Sequence, residues 1–288
     1  MSLAVAVGLA LAVGTAFASV VGFLYKDRGA VASPPVEASR PIWSFFMLFR
    51  SGAYTLGIVI ATASWCLHVG ALSLAPISLV QCVIAGGLVL LTVTAHRMFD
   101  HEVTRREWIG VGLAAAGLAF LAATIGDGGH SAHSSYDAGR LATYIALAGF
   151  GGLALAALAP SGPYHGVLLG AAAGLLWAAS DTSIKALSGH LGDGAAAVLL
   201  SPLAAVIAIA SFIGLLVSAR SLQLGRAVPV IAVTSVAANI VTIAAGPIVF
   251  DEPMPGDAIG VAARVAAFAL VIAAAALTPA PARATAQT

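Results

Sequence analysis

Five side chains that can carry charge or form strong hydrogen bonds interrupt long apolar runs of this sequence. They are His68, Gln81, Asp181, Asn239 and Arg264. A charged group is expensive in hydrocarbon, costing roughly 2.5 to 3.5 kcal/mol at the centre of a membrane helix. Residues kept at such a cost are candidates for contacting a polar solute. Trp65 and Trp177 lie in the same runs and are candidate aromatic walls.

Each of these side chains also has a purely structural interpretation. Asp181 and Lys185 are spaced i,i+4 and could pair on one helix face. Arg264 could extend along its own stem to the nearer interface. The histidine could be satisfied at an interface, and the two amides could hydrogen-bond between helices. We predict that Asp181 and Arg264 pair, directly or through a solute, because Asp181 is the only acidic residue well inside an apolar run.

The sequence contains no nucleophile–base pair, phosphate-binding loop or zinc-ligand spacing, so it does not predict an enzyme. His130 and His133 are close together, but no array of cysteines or carboxylates accompanies them, which favours a solvated loop. Cys66 and Cys82 lie inside apolar runs and are expected to be free. We therefore predict no catalytic residue, no metal site and no cofactor.

Composition defines the environment of the chain. Of its 288 residues, 60% are hydrophobic and 9% charged, with a mean hydropathy of +1.01. A soluble domain carries about 25% charged residues. We therefore expect a multi-pass membrane protein that contacts a lipid bilayer. A net charge of +1, without basic clusters interleaved with aromatics, argues against a nucleic-acid partner.

Nine apolar segments are long enough to cross about 30 Å of hydrocarbon. They span approximately residues 3–25, 51–72, 76–96, 108–125, 140–159, 166–186, 194–217, 226–249 and 257–277. Pro202 is expected to kink the seventh, and residues 41–50 to form an interfacial helix. A cleaved signal peptide is the alternative for the first segment, but no basic residue precedes it and the apolar run continues past Ala18.

The basic residues predict an orientation. Of 13 lysines and arginines, ten lie on the side reached after the first span, two lie opposite, and Arg264 is inside a span. Basic residues accumulate in cytoplasmic loops, so the N-terminus is expected outside the plasma membrane and the C-terminus in the cytoplasm. All five polar candidates then fall in the outer half, which predicts a polar site open to the exterior in one state.

Residues 71–124 and 221–274 form an internal repeat, identical at thirteen of 54 positions when aligned without a gap. Glu102 aligns with Glu252, each in a polar hinge between two apolar runs, and each is expected to cap a helix N-terminus. The first hinge is basic and the second is not, which predicts opposite orientations in the membrane. A weaker match relates the first and sixth spans, which end at Lys26 and Lys185.

These features predict an all-α, polytopic membrane protein with about nine transmembrane helices in two inverted four-helix repeats joined by a connecting helix. The expected divisions are residues 1–125 (N-terminal repeat, helices 1–4), 126–163 (connecting loop and helix 5), 164–278 (C-terminal inverted repeat, helices 6–9) and 279–288 (disordered tail).

Three stretches, ALSLAPISLVQ, EWIGVGLAAAGLAFL and VFDEPMPGDAIGV, resemble the drug/metabolite transporter superfamily, including its EamA-like members. The YKDRG ending of the first span and the count of nine spans are more similar to its NIPA-type magnesium transporter branch. Many superfamily members instead have ten helices. The resemblance implies a solute carrier with a central pocket, formed by helices one to three and six to eight.

We therefore expect a secondary transporter that moves a small metabolite or cation across the plasma membrane by alternating access. A magnesium permease, a flippase for a lipid-linked sugar and a non-transporting scaffold subunit are the alternatives. The single intramembrane acid argues against magnesium, which favours several oxygen ligands. A homodimer is one allowed assembly. The expected substrate-pathway residues are Asp181, Arg264, Asn239, Gln81, His68, Trp177 and Trp65.

Overall fold

A computed structural model describes residues 2–84, 86, 105, 109, 113, 116, 117, 134–225 and 227–277. Regular structure in these ranges is helical, without a strand. The helices are α1 (Leu3–Val31), α2 (Pro41–Phe49), α3 (Gly52–Leu74), α4 (Ala138–Leu158), α5 (His165–Ser188), α6 (Ala195–Leu199), α7 (Pro202–Leu224), α8 (Ala227–Val249) and α9 (Ala258–Leu277). Residues 77–84 are also helical, and we refer to them as the 77–84 helix.

Five of these helices, α1, α3, α4, α5 and α7, are long and apolar enough to cross a membrane. Shorter apolar stretches occupy Val233–Val249 in α8 and Ala258–Leu270 in α9. The prediction of an all-helical, multi-pass membrane protein is therefore confirmed. The fourth predicted span, most of the third, Glu102 and both loop histidines fall outside the described residues, so nine spans stay a prediction.

The helix boundaries follow most of the predicted segments closely, but α1 continues past residue 25 to Val31 and the start of α7 is corrected at Pro202. The predicted seventh span began at residue 194 and bent at this proline, whereas α7 begins there. Proline has no amide hydrogen to donate, so it suits a first helical turn. The Ser201 side chain caps the new helix by accepting from the amide of Leu203 at 3.2 Å. The short α6 before it is therefore a separate element.

Glycines allow the long helices to approach closely. A Cβ atom added to Gly57 of α3 would lie 2.7 Å from the backbone nitrogen of Lys26 and 2.9 Å from the carbonyl oxygen of Gly22, both on α1. A Cβ atom on Gly170 of α5 would lie 3.1 Å from the carbonyl oxygen of Val230 on α8. Small residues at these positions let backbones pack as they do in membrane helix pairs.

The same pairing of helices occurs twice. Helix α1 packs along α3, and α5 packs along α7. Between these pairs, α1 contacts α7 and α3 contacts α5. Helix α4 packs on α5, and α9 packs on α8.

The bundle has two ends, which we name by their lysines. At the Lys185 end, where α3 and α5 finish, a buried cluster includes Val5, Ala12, Leu72, Ile184 and Phe250. At the Lys26 end, where α1 and α7 finish, Gln223 donates to the carbonyl oxygens of Ala30 at 3.1 Å and Pro34 at 3.0 Å. Smaller buried clusters contain Ala30 with Ala219, and Leu222 with Val230.

Candidate functional site

A cavity of about 490 Å³ lies in the middle of the bundle, between these two ends. Its walls come from α1, α3, the 77–84 helix, α5, α7 and α8. Six of the seven predicted site residues line it: Trp65, His68, Gln81, Trp177, Asp181 and Asn239. The volume falls within the range of about 300 to 1,000 Å³ that is usual for small-molecule pockets.

Asp181 is the one carboxylate in the described lining, and residues from two other helices hold it. The Gln81 amide donates to its Oδ2 atom at 3.1 Å. The Nε2 atom of His68 lies 3.2 Å from its Oδ1 atom. Neither ring nitrogen of His68 makes a well-directed hydrogen bond within the described part of the chain, so this contact is a close approach of the two groups. The structure thus brings three separately predicted residues together.

Arg264 is not part of this group, and a direct ion pair with Asp181 does not form among the described residues. Pairing through a solute stays a prediction. The Nη1 atom of Arg264 donates to the carbonyl oxygen of Pro253 at 2.6 Å, in the loop that precedes α9. The side chain therefore extends along its stem to the helix end, as long basic side chains do in membranes. The Lys185 ammonium donates to the carbonyl oxygens of Leu72 and Ala75.

The aromatic and amide walls differ in exposure. Trp65 is 46% exposed, while Asn239 is only 4% exposed. The Nε1 atom of Trp177 is buried and has no hydrogen-bond acceptor among the described residues. The cavity therefore combines aromatic faces with an amide and a carboxylate. Such a lining can hold an apolar body and orient a polar group.

Hydroxyl groups form a polar wall that our sequence-based prediction missed. Ser19 and Ser64 hydrogen-bond to each other at 2.7 Å, and Ser64 also donates to the carbonyl oxygen of Thr15 at 3.0 Å. Thr234 on α8 donates to the carbonyl oxygen of Val230 at 2.8 Å. The i,i+4 spacing of Thr15 and Ser19 was the available signal, since it places both on one helix face.

Lys26 is a second missed residue. It falls just past the predicted first span at 3–25, but α1 continues to Val31, so Lys26 lies on the helix and lines the cavity. Its ammonium lies 3.9 Å from the centroid of the Phe23 ring, in a cation–π contact. Thr15 and Lys26 both line the cavity, and they are separated by about 16 Å along α1 at 1.5 Å per residue. With Lys26, the lining carries an ammonium in addition to the Asp181 carboxylate.

Glu252 caps a helix, as expected, but not the one that follows its own hinge. Its Oε1 atom accepts from the amide of Ile77 at 2.6 Å, and its Oε2 atom accepts from the amide of Ser78 at 3.3 Å and from the Ser78 hydroxyl. These donors form the N-terminus of the 77–84 helix, 174 residues away in sequence. Burial raises the pKa of Glu252, while the Ser78 hydrogen bond opposes this shift.

Metal-ligating side chains do not cluster in the described ranges, where no group of three or more His, Cys, Asp or Glu residues is placed to hold an ion. Cys66 is exposed and Cys82 is buried, and both are free thiols. Asp181 with its histidine and amide neighbours therefore provides one carboxylate rather than a set of oxygen ligands.

No protein-family model matches the chain, and no solved structure matches it. Among curated proteins, the chain is similar to the probable magnesium transporter NIPA9 of Arabidopsis thaliana, with 28% identity over 97 residues. The matched stretch covers 34% of this chain and spans only 28% of that protein's length. The similarity is therefore local, and it relates about a third of this chain to a protein named as a probable magnesium transporter.

Proposed function

We propose that this protein is a secondary transporter that binds a small organic solute at Asp181 and moves it across the membrane. The observation that supports this most directly is the convergence of six intramembrane residues on one cavity inside an apolar helical bundle. A scaffold subunit would need no such convergence, whereas a carrier needs a polar site away from the lipid.

The repeated helix pairing supports an architecture of nine spans in two inverted repeats. The α1–α3 and α5–α7 pairs cross-contact through α1 with α7 and α3 with α5, as related halves would. The 77–84 helix begins at Ile77 and α8 begins at Ala227, which is the offset of the sequence repeat. The cavity lies between these halves, where inverted-repeat transporters bind their substrates. We place the protein in the plasma membrane with its N-terminus outside.

The lining favours an organic solute with a positive or hydrogen-bond-donating group. Asp181 can accept from such a group, and the Asn239 amide lies in the same lining. Trp65 and Trp177 offer aromatic faces, which attract organic cations. A cavity of about 490 Å³ leaves room for an apolar body as well.

Magnesium is the second candidate, because the relative found in Arabidopsis thaliana is named a probable magnesium transporter. Magnesium retains several waters and binds protein through one or two carboxylates. Asp181 could serve a hydrated ion in that way. The large, mostly apolar cavity favours the organic solute over this candidate.

A binding screen separates these proposals. The compounds to be tested are those whose levels differ between cells with and without the protein in metabolite and metal profiling, together with organic ammonium compounds and Mg²⁺. The melting temperature of the purified protein is then measured with each, for wild type, Asp181→Asn and the control Asp193→Asn, which removes an exposed carboxylate outside the cavity. A ligand at 100 times its Kd should stabilise the native state by about 2.7 kcal/mol.

We expect an organic ligand to stabilise wild type and Asp193→Asn but not Asp181→Asn, and the same ligand to enter proteoliposomes. Stabilisation by Mg²⁺ alone, lost in Asp181→Asn, would support the second candidate. A lipid-linked sugar as the sole ligand would indicate a flippase. Equal stabilisation of all three proteins, or none by any compound, would contradict a solute site at Asp181.

A further inference from the structure

Lys185 is fully buried at the end of α5 and binds the end of another helix. Its ammonium donates to the carbonyl oxygens of Leu72 at 2.7 Å and Ala75 at 2.8 Å. The last carbonyls of a helix have no partner within it, and the helix dipole makes that end attractive to a cation. Lys185 therefore satisfies the C-terminus of α3 from the other half of the bundle.

Glu252 acts on the other side of the same interruption between two helices, which we call the break. Helix α3 ends at Leu74, and the 77–84 helix starts after Pro76 with its first amides donating to Glu252. The break is thus held by an ammonium on one side and a carboxylate on the other. Both belong to the C-terminal half, while the break belongs to the N-terminal half. The buried cluster of the Lys185 end packs around this contact.

The sequence repeat places an equivalent break at the Lys26 end. An offset of 150 residues relates Ala75 to Gly225, which lies between the end of α7 at Leu224 and the start of α8. Each break is also packed by a glycine near the start of a helix. Gly8 of α1 approaches Ala75, and Gly166 of α5 approaches Gly225. The two ends are therefore built alike.

Lys26 lies near the end of α1 as Lys185 lies near the end of α5, and these are the only two lysines in the whole sequence. Their present contacts differ. Lys185 holds the Ala75 break, whereas the Lys26 ammonium lies over the Phe23 ring at the cavity wall. One of the two lysines is engaged with a helix end, and the other points its charge at an aromatic face.

We propose that Lys185 and Lys26 are alternating latches of the two ends of the bundle. Lys185 closes its end by binding the carbonyls of Leu72 and Ala75, and Lys26 closes the opposite end by binding the equivalent carbonyls of Leu222 and Gly225. The structure shows the Lys185 latch engaged and the Lys26 latch released, while Ala219 at the Lys26 end is still buried. This inference rests on the proposed transport function, because it assigns how the cavity is closed towards each side.

Reporter cysteines test the latches without any solute. In a background with Cys66→Ala and Cys82→Ala, Ala12→Cys reports on the Lys185 end and Ala219→Cys on the Lys26 end. Both reporter sites are buried, at 0% and 1% exposure. Ala12 lies about one helical turn beyond Thr15, and Ala219 lies about one helical turn beyond Leu215, and both of these neighbours line the cavity. Labelling by a membrane-impermeant maleimide is measured in right-side-out and inside-out vesicles.

We expect Lys185→Gln to increase labelling of Ala12→Cys roughly tenfold, the population shift expected when one state loses a charge-assisted hydrogen bond. Labelling of Ala219→Cys should not increase. Lys26→Gln should produce the opposite pattern. Lys185→Arg should keep the Ala12 site protected, because a guanidinium can also donate to the two carbonyls.

Two arginines provide matched controls at the same ends. Arg28→Gln near Lys26 and Arg140→Gln near the Lys185 end remove charges outside the latches, and they should leave both labelling rates unchanged. If either lysine variant exposes both reporters equally, or exposes neither, the latches are refuted. If Lys185→Gln does not fold, Lys26→Gln alone is the test. The proposal is then overturned if Lys26→Gln does not increase labelling of Ala219→Cys over that of Ala12→Cys.

The outcome is independent of the solute. If the two lysine variants give opposite labelling patterns but the binding screen finds no ligand, the latches are supported and the organic-solute site is rejected. A ligand that depends on Asp181, without reciprocal labelling, would keep the site and reject the latches.

Discussion

Removing the Glu252 side chain should destabilise the bundle more than any other single hinge substitution. In Glu252→Ala, the buried amides of Ile77 and Ser78 lose their acceptor. A buried donor left without a partner costs about 1 to 3 kcal/mol, so two such donors predict a loss of about 2 to 6 kcal/mol in the free energy of unfolding. This is a large fraction of the stability of an ordinary domain, about 5 to 15 kcal/mol.

Glu252→Gln should have a smaller effect, because it keeps one oxygen for the Ile77 amide. Its amide group then faces the donors of Ser78, which leaves about 1 to 3 kcal/mol of destabilisation. The control is Asp251→Asn, which changes the adjacent residue. Asp251 is exposed and pairs with Arg140 at 2.8 Å, and asparagine tolerates its positive φ of 47°. Exposed ion pairs contribute little, so this variant should lose far less stability than Glu252→Ala.

The free energy of unfolding is measured in mixed micelles by increasing the fraction of denaturing detergent, with helicity as the signal. The expected order of destabilisation is Glu252→Ala, then Glu252→Gln, then Asp251→Asn. If Glu252→Ala unfolds at the same detergent fraction as Asp251→Asn, the carboxylate does not stabilise the 77–84 helix, and the reasoning from unsatisfied donors is refuted.

Three further predictions concern topology, packing and pH. A cysteine at Gly256 should react with an impermeant reagent in intact cells and one at Thr104 should not; the reverse pattern would overturn the orientation and the inversion. Gly57→Ala should cost about 1 to 3 kcal/mol by forcing α1 and α3 apart, whereas Gly149→Ala, where a Cβ meets nothing within 4 Å, should not destabilise; equal unfolding midpoints would contradict this packing. A hydrogen bond from Arg140 of α4 lowers the pKa of Asp251 in the folded protein. The pair therefore stabilises the fold above the unfolded pKa of about 3.9, and this stabilisation is lost as the pH falls through the lower pKa of the folded state. Detergent unfolding at several pH values should show this acid-side loss in wild type and not in Asp251→Asn.

The sequence alone determined where most helices lie and that they belong in a membrane. A helix in hydrocarbon satisfies its backbone groups within one segment, so an apolar run of sufficient length is a local signal. The predicted segments at 51–72 and 140–159 correspond to α3 and α4 within a few residues. Polar residues inside such runs are also local signals, since each is costly in lipid. Six of the seven chosen this way line one cavity.

Local signals were ambiguous where one residue type fits two structures. Proline can bend a helix or begin one, and the choice at Pro202 depends on the capping hydroxyl of Ser201 and on the chain path before it. The predicted first span stopped at residue 25, where the apolar run meets Lys26. Helix α1 instead continues past it to Val31, and Gly29 in the last turn packs against Tyr54 of α3.

Partner choice was decided by tertiary structure, because it depends on how separate helices are rotated and paired. Asp181 could have met Arg264 or Lys185, but it faces Gln81, 100 residues away, and His68 on α3. Glu252 could have capped its own helix, but its carboxylate reaches amides 174 and 175 residues away. The sequence shows that a buried charge must find a partner, and the packing of the two halves determines which one it contacts.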